Sequence, residues 1–86
     1  MTTKVVNLRK EPYDIYIGRP SIWGNPFKIG RDGNREDVLE KFLSYLMERP
    51  ILISRIKNEL KGKTLGCYCK PLPCHGDVLA QIADSN

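Results

Sequence analysis

The chain has 86 residues, 41% of them hydrophobic and 28% charged, with a formal net charge of +4. That length suits one small domain, here read as residues 1–86, and the composition excludes collagen-like and disordered classes. No run reaches the ~18 apolar residues of a membrane span, residues 1–10 hold no signal-peptide core, and three cysteines suit a reducing cytosol.

Residues 4–8 (Lys-Val-Val-Asn-Leu) form a β-branched run that predicts a buried strand, broken at Glu11-Pro12. Residues 14–17 alternate, with Ile15 and Ile17 on one face and Asp14 and Tyr16 on the other, the period of a half-buried strand. A loop rich in glycine and proline follows, from Gly18 to Gly33. Its length marks it as functional or disordered, and Trp23 and Phe27 argue for order. Asn34 is placed to cap a helix, with Glu36 and Asp37 in the first turn and Val38, Leu39, Phe42, Leu43 and Leu46 at helical spacing.

Arg49-Pro50 ends that helix, and Pro50 suits the first position of the next, whose stripe is Leu52, Ile53, Ile56 and Leu60, closed near Gly62. Residues 63–68 predict a strand. The Lys70-Pro71-Leu72-Pro73 stretch excludes helix, and a last helix starts at His75 or Gly76, with Val78, Leu79, Ile82 and Ala83 inward. The fold class is therefore α/β, with two to three strands and about three helices. The strands at 4–8 and 63–68 are expected to be parallel neighbours, since the intervening helices supply the crossover.

Charge is uneven along this order. Residues 1–35 carry seven cations and three acids, whereas residues 36–86 carry seven of each. Phosphate-bearing partners, a nucleotide or nucleic acid, are one reading; a mildly basic solvated surface is the other.

Every cysteine and the one histidine of the chain fall within residues 67–75. Three readings of this cluster stand open. Cys67, Cys69, Cys74 and His75 supply the Cys3His set of a structural zinc site, although the spacing differs from C-x2-C knuckles. Buried reduced thiols packing between strand and helix are the second. The third is a reactive site, in which the helix N-terminus lowers the Cys74 pKa and His75 and Asp77 act as proton carriers. A Cys-x-Cys redox pair is a strained variant of it.

A second constellation occupies the loop. Arg9, Arg19 and Lys28 suit phosphate, Trp23 suits base stacking, and Asn25 and Ser21 suit polar ligand contacts. Equally, Trp23 and Phe27 suit a core, with Asn25 satisfying loop backbone. The cations Arg55, Lys57, Lys61 and Lys63 read as a solvated face.

The Gly-Arg-Pro-Ser-x-Trp-Gly-Asn-Pro-Phe run at 18–27 and the Gly-Cys-x-Cys-Lys-Pro-Leu-Pro-Cys-His-Gly-Asp run at 66–77 carry a resemblance. The chain resembles the phage and bacterial family called domain of unknown function 4326. That resemblance implies a small viral or bacterial accessory protein and no defined activity. The ending is also similar to that of an uncharacterised α/β family with a Cys-His-Arg triplet, in which arginine stands where this chain has Gly76.

Ligands of parallel sheets gather beyond the C-terminal strand ends, so Arg9, the 18–27 loop and residues 67–77 are expected at one end of the sheet. Three functions fit: a nucleotide- or nucleic-acid-binding accessory protein with structural zinc, an enzyme on a nucleotide-like substrate using Cys74, His75 and Asp77, or a host-protein interaction module. None requires a membrane.

Overall fold

The structure, a computed structural model, describes residues 2–68, 70 and 72–85. Strands β1 (Lys4–Asn7), β2 (Ile15–Tyr16) and β3 (Thr64–Cys67) form a parallel sheet in the order β1-β3-β2. The most apolar of them lies in the middle: Leu65, Gly66 and Cys67 of β3 are all buried. Val5 and Ile15 flank Leu65 in register, so these three side chains share the face turned to the helices. The opposite face needs Gly66, because a Cβ there would lie 2.6 Å from the Tyr13 ring.

Helix α1 (Arg35–Met47) begins as its sequence dictates. The Asn34 side chain accepts from the Asp37 amide, and the Asp37 carboxylate accepts from the Asn34 amide, which completes a capping box. Val38, Phe42 and Leu46 are its buried stripe; Leu43, expected inward, is largely exposed. Helix α2 (Pro50–Arg55) opens on Pro50 and passes into a π-helical turn at Ile56–Leu60. That widened turn was not foreseen from the apolar stripe, yet Ile56 and Leu60 are fully buried as expected. Gly62, at φ +77°, supplies the left-handed residue that releases the chain into β3.

Helix α3 (His75–Asp84) packs on β1 and β3 and against α1 and the π turn, burying Leu79, Ile82 and Ala83. Phe42, Leu46, Ile56, Leu60 and Leu65 meet these side chains in one core, joined by Ile17 and Trp23 from the loop side. Among the described residues, no helix is long and apolar enough to cross a membrane.

The two ends of the fold are tied by Thr3, which is buried. Its amide donates to both carboxylate oxygens of Asp84 at 3.2 and 3.0 Å, its hydroxyl donates to one of them at 2.7 Å, and the hydroxyl oxygen accepts from the Gly62 amide at 2.9 Å. The Thr3 hydroxyl and amide hold the Asp84 carboxyl below its ordinary pKa. A depressed carboxyl contributes stability that is complete above the unfolded pKa and lost as pH falls through the folded one. Asp84→Asn is therefore expected to melt a few degrees below wild type at neutral pH. The gap should narrow as acid protonates Asp84, as thermal melts across the carboxylate range will show.

Candidate functional site

Beyond the C-terminal ends of β2 and β3 the backbone opens a cavity of about 560 Å³, within the size range of small-molecule sites. The 18–28 loop forms one wall, the start of α1 another, and the β3–α3 corner the floor. Arg19, Lys28, Cys67, Tyr68, Cys74 and His75 all contribute to its lining. The expected meeting of loop and sulfur cluster at one sheet end is thus what the fold produces.

The loop is ordered by bonds to itself. Ser21 and Gly24 amides donate to the Gly18 and Ser21 carbonyls, and the Tyr16 hydroxyl donates to the Arg19 carbonyl at 2.7 Å. Asn25 is consumed structurally: its Oδ1 accepts from the Phe27 amide and its Nδ2 donates to the Val38 carbonyl. Asp32 accepts from the Lys28 amide and from Arg31, whose guanidinium holds the carboxyl below its ordinary pKa.

Helix α3 starts directly beneath. Cys74 is its N-cap residue, and the Cys74 amide donates to Asp77 Oδ2 at 3.1 Å. Gly76 sits so close to the sheet that a Cβ would lie 2.7 Å from Ile17 Cδ1 and 2.8 Å from Val5 Cγ1. The arginine of the Cys-His-Arg pattern has no room at this position. Cys74 Sγ and Cys67 Sγ meet 3.1 Å apart, each thiol 1% exposed. The neighbouring Cys67 thiol and burial push the Cys74 pKa up. The Gly76 amide at the helix N-terminus favours the thiolate, but the neighbouring thiol and burial outweigh it.

His75 donates from Nε2 to the Ile17 carbonyl at 2.6 Å, with its ring edge-on to Phe42. Burial, with Arg19 adding to it, lowers its pKa against the opposing effect of the Ile17 carbonyl. Asp77 does not hydrogen-bond to His75. Its second carboxylate oxygen takes the Lys70 ammonium, which raises the Lys70 pKa. In this arrangement the Cys74 thiol meets Cys67, the imidazole anchors the loop, and the Asp77 carboxylate caps the helix.

Of the zinc set, Cys69 lies outside the described residues. Among the described residues, no three His, Cys, Asp or Glu side chains gather as a metal site. The two described sulfurs are closer than the ~3.8 Å that tetrahedral zinc geometry sets between thiolates.

The predicted loop residues divide in two. Arg19 and Lys28 line the cavity, as does Asn25. Arg9 stands beside it, its guanidinium 5.1 Å from the Tyr68 ring centroid. Ser21 does not line it and accepts from the Trp23 amide. Trp23 is 7% exposed in the core with Arg55 over its ring, so packing, not base stacking, is the reading its burial matches. Sequence reasoning missed Tyr16, Arg35 and Tyr68. Tyr16 and Tyr68 end or follow the strands at the ligand side of the sheet, which was the available signal. Arg35 is the first residue of α1; its guanidinium donates to the Pro73 carbonyl at 2.9 Å and braces the floor.

The electrostatics have one sign. Arg19, Lys28 and Arg35 line the cavity, no acidic side chain does, and among the described residues none of the three cations has a carboxylate partner.

The close seat of α3 gives a test. Gly→Ala within a helix ordinarily stabilises, but Gly76→Ala is expected to destabilise by about 1–3 kcal/mol through overpacking. Urea denaturation will measure it, with exposed Gln81→Ala as the control that changes stability by less than ~0.5 kcal/mol.

Comparison with known proteins agrees with the motifs. The family model described as Domain of unknown function (DUF4326) matches residues 2–85, and the chain belongs to that family. It is 40% identical over 91 residues to an "Uncharacterized 12.4 kDa protein in nrdA-td intergenic region" of Enterobacteria phage T4, covering 94% of this chain and 77% of that protein. It is 37% identical over 87 residues to "Uncharacterized protein R718" of Acanthamoeba polyphaga mimivirus, covering 80% of this chain and 65% of that protein. No solved structure matches it.

Proposed function

We propose that this member of the DUF4326 family is a virus- or phage-type accessory protein that works in the host cytoplasm and binds a small nucleotide-like ligand in its cationic cavity. The observation that carries the reading is a concave site holding three cations and no acid, walled by aromatic rings. Uncompensated positive charge in a partly desolvated recess favours an anion, and guanidinium groups suit phosphate oxygens in particular.

The arrangement also orients the ligand. Val38, Cys67 and Cys74 at the bottom are buried and present apolar or weakly polar surface, whereas Arg19 and Lys28 are exposed at the rim. A planar ring therefore enters first, against Phe27 and the sulfur pair, and phosphate stays at the mouth between Arg19, Lys28 and Arg35. A recess of this size suits a mononucleotide. Binding rather than turnover is the better-supported role, because His75 and Asp77 are committed to structural bonds.

Adenosine monophosphate is a suitable probe for calorimetric titration. Arg19→Ala and Arg35→Ala are each expected to weaken its binding by about tenfold or more, the usual loss of a charge-assisted hydrogen bond. Phe27→Ala should weaken adenosine and its monophosphate alike. Unchanged affinity in the Arg19→Ala, Arg35→Ala double variant contradicts the reading. Much tighter binding of a single-stranded oligonucleotide, with a steep salt dependence, transfers the function to nucleic acid.

A further inference from the structure

We propose that Cys67 and Cys74 are a site of reversible oxidation, joined as an intrachain disulfide by a small-molecule disulfide such as oxidised glutathione. The pairing is independent of what the cavity binds. It differs from the Cys-x-Cys pair that the sequence suggests, because the fold brings together the last residue of β3 and the N-cap residue of α3.

Three observations support it. The sulfurs are already in contact at 3.1 Å, so bond formation requires an approach of roughly 1 Å. Both cysteines line the cavity, which gives an oxidant a route to thiols otherwise buried in the core. The turn between them is braced from outside: Asn7 Nδ2 donates to the Lys70 carbonyl at 2.8 Å and, more weakly, to that of Tyr68.

The chemistry balances without a metal. One cysteine ionises and attacks a sulfur of the oxidised glutathione, forming a mixed disulfide and releasing one glutathione thiolate, which takes up the proton. The second cysteine then attacks its partner's sulfur in that mixed disulfide, and the second glutathione leaves with the second proton. Two cysteine thiols are oxidised, one external disulfide is reduced, and two glutathione thiols result. The new bond closes a short loop between sheet and helix and fixes the floor of the cavity.

The test is equilibration of the full chain in glutathione buffers of increasing oxidation, acid quenching, alkylation of remaining thiols, peptic digestion and mass spectrometry. The expected product has lost two hydrogens, links Cys67 to Cys74, and carries the alkyl label on Cys69. It should melt higher than the reduced protein by roughly 5–15 °C, as short-loop disulfides do. Cys69→Ser should oxidise like wild type, which keeps the test decisive even where Cys74→Ser fails to fold. A bridge that includes Cys69, glutathionylation with no intrachain bond, or stoichiometric zinc that protects the thiols overturns the proposal.

Discussion

The approach of α3 to the sheet at Gly76 is the constraint on which the site depends. With no side chain at that position, the first turn of the helix lies directly on Val5 and Ile17, within a distance no Cβ tolerates. Only that seat allows the residue before the helix to lay its thiol against Cys67 and the first helical residue to reach the Ile17 carbonyl. The second of these bonds reaches the segment that leads from β2 into the glycine-rich loop, and so sets where the loop starts. A larger residue at 76 would have to displace the Ile17 and Val5 side chains beneath it.

Placed in this way, the loop gives the cavity its character through what the surrounding elements do not supply. The acids of the region are engaged elsewhere: Asp32 holds Arg31 and the loop backbone, Asp37 caps α1, and Asp77 caps α3 while pairing with Lys70. Arg19, Lys28 and Arg35 are left facing the recess without carboxylates. Three of the seven cations in residues 1–35 thus line one recess. The same acids that order the backbone leave the cavity lined by positive charge.

Local rules made much of this legible beforehand. Asn34 and Asp37 announced the capping box, Pro50 the second helix, and the Cys74-His75 boundary the third, because caps and proline act through near neighbours. The parallel pairing of β1 and β3 followed from crossover length. Long-range packing was not legible: nothing in a four-residue spacing signals the π turn at Ile56–Leu60 or the exposure of Leu43. For the site, Arg19 and Lys28 were visible as loop cations, while nothing local singled out Arg35 at the first position of α1. Cys74 shows why several readings of the cysteine cluster stood open. Its helix-terminal position argues for a lowered pKa, but its burial against a second thiol, which only the fold reveals, argues the other way and wins.

Two-dimensional amide NMR during titration with adenosine monophosphate, with inorganic phosphate in parallel, asks whether the recess beyond β2 and β3 selects a phosphate-bearing aromatic molecule. Saturable shifts are expected within the cavity, at Gly18, Arg19, Lys28, Arg35, Tyr68 and His75, with phosphate alone moving the rim amides and sparing those of the floor. Shifts that collect instead around the exposed Met47 and Ile51, or an unchanged spectrum at millimolar nucleotide, contradict it.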